Sequence, residues 1–143
     1  MTVLTRVEKV IFLQDVDIFK YTSTEDLAHI AAITDEVELK ANSPVFKEGE
    51  FPDAMYVVIE GKVRLSRGDQ EVMVAGKKDA FGTWALFDDE PRVATATSLE
   101  DSRLLKIDKE DFFDLLADHV EITQSILKVM VKRLRKLMTH INR

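Results

Sequence analysis

The spacing of apolar residues changes twice along this chain. In residues 1–34, Val3, Val7, Val10 and Ile11 recur at helical intervals, and Val16, Ile18 and Phe19 form a short apolar turn. Ser23-Thr24-Glu25-Asp26 supplies a hydroxyl cap followed by early carboxylates. A second helix is therefore predicted, with Leu27, Ile30, Ala31 and Ile33 on one side.

From 35 to about 107 the period becomes two. Val37-Glu38-Leu39-Lys40, Lys62-Val63-Arg64-Leu65-Ser66 and Glu71-Val72-Met73-Val74 alternate apolar with polar, while Met55-Tyr56-Val57-Val58-Ile59 and Leu104-Leu105-Lys106-Ile107 are denser strands. Glu60-Gly61 and Gly68-Asp69 are tight-turn signals between them. Many short, regularly spaced strands predict a sandwich or jelly-roll barrel. Residues 108–143 return to helix: Asp108 is a candidate cap, the pattern pauses at Asp118-His119, and one long helix runs to about Ile141. The expectation is a mainly β single domain over 1–143, a double-stranded β-helix barrel (35–107) between helical lead-in (1–34) and C-terminal helices (108–143).

Composition narrows the chemistry. With 143 residues, 45% of them hydrophobic, one core suffices. There is no cysteine, which removes disulfides, thiol nucleophiles and Cys-based metal sites. Apolar runs of at most six residues exclude a membrane-spanning helix, and a cytoplasmic location, as a free protein or a domain of a larger one, is expected. The charge is uneven. Residues 122–143 hold six basic and no acidic residues; the other 14 basic and 26 acidic residues leave −12 on the preceding body. Such a body repels nucleic acid over most of its surface.

Candidate chemistry lies in Phe81-Gly82-Thr83-Trp84-Ala85-Leu86-Phe87-Asp88-Asp89-Glu90-Pro91-Arg92-Val93-Ala94-Thr95. A glycine opens a short apolar helical turn, an acidic loop ends at proline, and an arginine leads into a β-branched strand. Glycine lets backbone approach a ligand closely, helix-start amides attract anions, and the planar guanidinium suits two phosphate oxygens. Two readings follow: an anion site anchored by Arg92, or an arginine that neutralises Asp88, Asp89 and Glu90.

This segment resembles the phosphate-binding cassette of cyclic-nucleotide-binding domains, of the catabolite-activator and protein-kinase-A-regulatory kind. The matching positions are Phe81-Gly82, Ala85-Leu86, Pro91-Arg92 and Ala94-Thr95. Phe46-Lys47-Glu48-Gly49-Glu50, Met55–Val63 and Leu104–Phe112 resemble the family's other markers, and the likeness covers about residues 10–140. It implies a regulatory, non-enzymatic module that binds cAMP or cGMP and needs no cofactor. The implied ligand residues are Gly82, Thr83, Trp84, Ala85, Arg92, Val93 and Ala94. Arg92 would hold the cyclic phosphate, with backbone amides around the cassette and Ala94 completing the cradle.

Thr83 departs from the pattern, standing where the family places the glutamate that accepts the ribose 2′-hydroxyl. Replacing a charge-assisted bond by a neutral one costs about 1–2 kcal/mol, or roughly 5- to 30-fold in affinity. Trp84 is expected to fill core space behind the cassette; otherwise it narrows the ribose pocket. Val93 offers no hydroxyl where cGMP-preferring relatives often carry one, which favours cAMP.

In the last helix, Ile122, Ile126, Val129, Met130, Leu134, Leu137 and Ile141 form a stripe, widened by Leu127, Val131 and Met138. A homodimer through residues 120–141 is expected, against a helix packed only on its own barrel. The interspersed Lys128, Lys132, Arg133, Arg135 and Lys136 read as a solvated face. No helix-turn-helix domain follows in this sequence, so direct DNA reading is not expected, and membership of a larger bacterial protein stays open. Asp15 and Asp17 read as caps of a short helix. His29, His119 and His140 show no metal-ligand spacing, and no catalytic dyad or triad stands out. The alternative function is a barrel with a silent pocket that serves assembly through its C-terminal helix.

Overall fold

Side-chain caps set where the two lead-in α-helices begin. The computed structural model describes residues 3–141. Helix α1 (Arg6–Leu13) starts with a reciprocal capping box: the Glu8 amide donates to Thr5 Oγ1 at 3.1 Å, and the Thr5 amide donates to Glu8 Oε1 at 2.9 Å. A 3-10 turn at Asp17–Phe19 follows, and then α2 (Thr24–Ala32), whose Asp26 amide donates to Ser23 Oγ.

Eight strands succeed one another: β1 (Thr34–Leu39), β2 (Pro44–Phe46), β3 (Ala54–Glu60), β4 (Val63–Arg67), β5 (Gln70–Ala75), β6 (Ala80–Phe81), β7 (Thr95–Ser98) and β8 (Ser102–Asp108). Helix α3 (Thr83–Asp88) interrupts them, and α4 (Lys109–Asp118) and α5 (Val120–Ile141) close the chain. The strands form two four-stranded antiparallel sheets, ordered β1-β8-β3-β6 and β2-β7-β4-β5. This is the jelly-roll barrel with flanking helices that the spacing predicts.

The dense strand β3 has a physical reason. From Ala54 to Ile59 every residue is buried, because both faces of the strand are covered. Ala54, Tyr56 and Val58 point into the barrel with Phe46, Val63, Phe81, Ala96 and Leu104. Met55, Val57 and Ile59 point outward into a second cluster with Leu13, Phe19, Leu27, Ile30, Phe112, Ile122 and Ile126. One sheet is thus the floor of two cores. A strand buried on both sides loses its alternation, whereas β5, at a sheet edge, leaves Val72, Met73 and Val74 exposed.

Asp108 caps α4 as expected, accepting from the amides of Glu110 and Asp111. Asp15 and Asp17 do not cap. The 3-10 turn has Val16 at its cap position with no side-chain bond; Asp15 pairs with Lys78 Nζ at 2.8 Å, and Asp17 pairs with Arg133 of α5. These carboxylates tie the lead-in to the barrel and to the last helix, because the turn leaves them on its outer side. Among the described residues no helix is long and apolar enough to cross a membrane.

Candidate functional site

The cassette starts where β6 ends. Gly82 adopts the left-handed conformation (φ 77°) as the cap of α3, which is six residues long. At the far end Asp89 is also left-handed (φ 57°), and its carboxylate pairs with Lys109 Nζ. The Glu90 amide donates to Asp88 Oδ1 at 3.0 Å. The three acids of the loop therefore turn to α4, to the loop itself and to solvent.

Arg92 lies elsewhere. Its backbone is clamped to the turn after β2, with the Arg92 amide donating to the Glu50 carbonyl at 2.8 Å and the Gly49 amide donating to the Arg92 carbonyl at 2.9 Å. Its side chain is only 4% exposed. Nη1 donates to the Gly82 carbonyl at 2.8 Å and Nη2 to the Ala54 carbonyl at 2.5 Å. The guanidinium lies 4.0 Å from the centroid of the Phe46 ring. Nε is buried and has no hydrogen-bond partner among the described residues. Burial pulls the guanidinium pKa down, while Tyr56, Asp53 and Glu50 push it back. Arg92 is thus neutralised by none of Asp88, Asp89 and Glu90, and it does not face an open cavity either. It is folded beneath the cassette onto backbone carbonyls.

Gly82, whose carbonyl holds Arg92, lines a cavity of about 420 Å³. Its walls include Leu65 of β4, Met73 of β5, the segment Phe81–Trp84, Lys78, and Arg133 of α5. That volume falls within the range of small-ligand sites. Of the sequence-predicted ligand residues, Gly82, Thr83 and Trp84 line it; Ala85, Arg92, Val93 and Ala94 are not among the described lining residues. Thr83 is 6% exposed, Ala94 is buried, Ala85 is half-buried and Val93 is 64% exposed.

Trp84 corrects an expectation. The indole is 53% exposed and does not fill the core; the first turn of α3 points it outward, leaving Thr83 and Leu86 as the buried side chains of that helix. The Arg133 guanidinium stands 5.1 Å from the Trp84 ring centroid while it pairs with Asp17. Arg133 is a residue that sequence reasoning placed on a solvated face. The signal was available: it follows Ile126 by seven and Val129 by four, so it continues the buried stripe of α5 into the cavity wall.

The cassette is also connected to the last helices through rings. Phe87 of α3 meets Phe112 at 6.1 Å and Phe113 at 5.7 Å between centroids, and Phe112 meets Phe19 at 6.5 Å. Beside these rings an apolar groove of about 570 Å³ runs between α3 and the α4–α5 pair, lined in part by Trp84, Phe87, Phe113, Ile126, Leu127 and Met130.

A barrel of two four-stranded sheets, with a glycine–short helix–arginine cassette against a cavity and a helix closing over it, defines the class. The profile of the "cyclic nucleotide-binding domain" family matches residues 36–119, and this chain belongs to that family. It is 34% identical over 115 residues to the CRP-like cAMP-activated global transcriptional regulator of Mycobacterium tuberculosis, a match covering 75% of this chain and 51% of that protein. The N-terminal domain of a transcriptional regulator from Streptomyces coelicolor superposes with a TM-score of 0.82 at 33% identity, covering 88% of this chain and 94% of that one. Thermus thermophilus catabolite activator protein gives a TM-score of 0.73 at 27% identity, with 88% and 62% covered. The chain spans about half the length of the CRP-like and cyclic AMP receptor relatives it matches. The family is a cyclic-nucleotide-binding regulatory domain, generally non-enzymatic.

Proposed function

We propose that residues 1–143 act as one cytoplasmic cyclic-nucleotide sensor, with cAMP preferred over cGMP. The observation that carries this reading is the position of Arg92. A buried guanidinium, spared by the neighbouring acids, is hydrogen-bonded to the carbonyl of Gly82, and Gly82 itself lines the cavity. Its unpartnered Nε and two backbone-bound nitrogens are the donors that a cyclic phosphate takes in a bidentate contact. Ligand entry requires the guanidinium to leave the Gly82 and Ala54 carbonyls, so binding is coupled to a rearrangement of the cassette. Thr83 meets the ribose hydroxyl as a neutral partner, and the apolar Val93 withholds the hydroxyl that favours cGMP.

The relay runs along two contacts. Movement of α3 is felt by α4 through Phe87 and by α5 through the Trp84–Arg133 contact. The energy for the shift is the ligand's differential affinity for the two arrangements. In α5, Ile122, Ile126 and Val129 are buried, whereas Leu134 and Leu137 are each 59% exposed. That uncovered half of the stripe supports a homodimer through residues 120–141.

A second reading has its own support. Arg92 already has two carbonyl partners and Thr83 replaces a carboxylate, which is what a silent pocket retained for assembly requires. Thermal-shift measurements separate the two. Stabilisation by cAMP above cGMP, and by neither 5′-AMP nor inorganic phosphate, supports the sensor; no shift with any cyclic nucleotide at millimolar concentration supports assembly alone.

A further inference from the structure

Two of the three histidines of this chain, ninety residues apart in sequence, are brought into contact by the fold. The rings of His29 and His119 stack with centroids 4.1 Å apart and planes inclined by 28°. Asp26 precedes His29 by three residues on α2, so both project from one face of that helix. His119 is the C-cap of α4, at its junction with α5. One ligand-type atom from each of Asp26, His29 and His119 lies within 4.8 Å of the other two. Among the described residues, none of these three side chains has a hydrogen bond or an ion pair.

We propose that Asp26, His29 and His119 bind a divalent transition-metal ion of the zinc class. Two imidazoles and a carboxylate suit zinc, copper or nickel, whereas calcium and magnesium favour all-oxygen sets. Ligand atoms around a tetrahedral zinc at 2.0–2.1 Å stand about 3.4 Å apart. The three ligand atoms, all within 4.8 Å of one another, reach that spacing by side-chain rotation, which His29 is free to make because it is exposed. Three protein ligands leave a fourth position for water. Electrostatics point the same way: His29 sits in the last turn of α2 and His119 at the end of α4, where helix carbonyls favour a cation. A bound ion fastens α2 to the α4–α5 junction. The site shares no residue with the cassette and stands independently of nucleotide binding.

The test is calorimetric titration of tag-free protein with Zn²⁺, alongside the visible absorption of Co²⁺ as a report on coordination. One ion per chain with micromolar affinity is expected, weakened by about tenfold or more in both His29→Ala and His119→Ala. His140→Ala, which removes the remaining histidine at the far end of α5, leaves binding unchanged. His29→Ala alters an exposed side chain and keeps the comparison valid should His119→Ala misfold. Absence of binding at millimolar Zn²⁺, undiminished affinity in His29→Ala, or loss of binding in His140→Ala overturns the assignment.

Discussion

Arg92 Nη1 donates to the Gly82 carbonyl at 2.8 Å, and the same nitrogen would stand 2.7 Å from a β-carbon placed on Gly82. The glycine therefore serves two ends: it holds a left-handed turn at φ 77°, and it leaves room for a guanidinium under the cassette. Gly82→Ala strains the backbone and presses on Arg92 and Phe46 together, where the added carbon would come within 3.3 Å of the ring. A loss of about 1–3 kcal/mol in urea-unfolding stability is expected. An unchanged midpoint would mean the turn relaxes without cost.

Thr83→Glu restores the carboxylate that the family pattern places here, and two opposite effects follow. Affinity for cAMP is expected to rise roughly 5- to 30-fold, as a charge-assisted bond replaces a neutral one. Thermal stability of the ligand-free protein is expected to fall, because Thr83 is buried and a carboxylate there is desolvated. Titration and melting curves on the same preparation check both signs.

Leu134 and Leu137 lie on the uncovered half of the α5 stripe. Leu134→Glu combined with Leu137→Glu puts two charges on the proposed dimer seam while sparing the buried Ile122, Ile126 and Val129. Light scattering after gel filtration should give a dimer mass for the unaltered chain and a monomer mass for the double variant. A monomer in both rejects the seam.

Tyr56 gives a pH signature. Burial, reinforced by Asp53 and partly opposed by Arg92, holds its phenol above the ordinary value of 10.0. The native state thus keeps a proton that the unfolded chain releases, so stability falls as pH rises through 10 and beyond. Below that range Tyr56 makes no pH-dependent difference. Tyr56→Phe is expected to flatten the alkaline limb of a stability-versus-pH curve; parallel limbs would show that the phenol titrates normally.

Much of this architecture was legible in the residues. The switch from helical to two-residue spacing near Thr34, the Gly61 and Gly68 turns, and the cap at Asp108 fix the jelly roll with its flanking helices, because each depends on local preferences. The cassette was legible as a motif for the same reason: Gly82, Pro91 and Arg92 carry their meaning in spacing. What failed to show was set by distant partners. The side chain of Arg92 is directed by the carbonyls of Gly82 and Ala54, and no pattern of residue types records where a carbonyl points. Trp84 looked like core because indoles usually are, yet a six-residue helix buries only one side, and Thr83 and Leu86 occupy it. Asp15 and Asp17 find Lys78 and Arg133, and His29 finds His119, across separations that spacing arguments do not span.

The central claim is that Arg92 is the anchor of a working nucleotide site, and calorimetric titration of cAMP into the unaltered chain and Arg92→Ala tests it most directly. Micromolar binding that disappears in the variant, with its circular dichroism unchanged, is the predicted result. No heat from the unaltered protein at millimolar cAMP and cGMP, or equal affinity in both proteins, would contradict it.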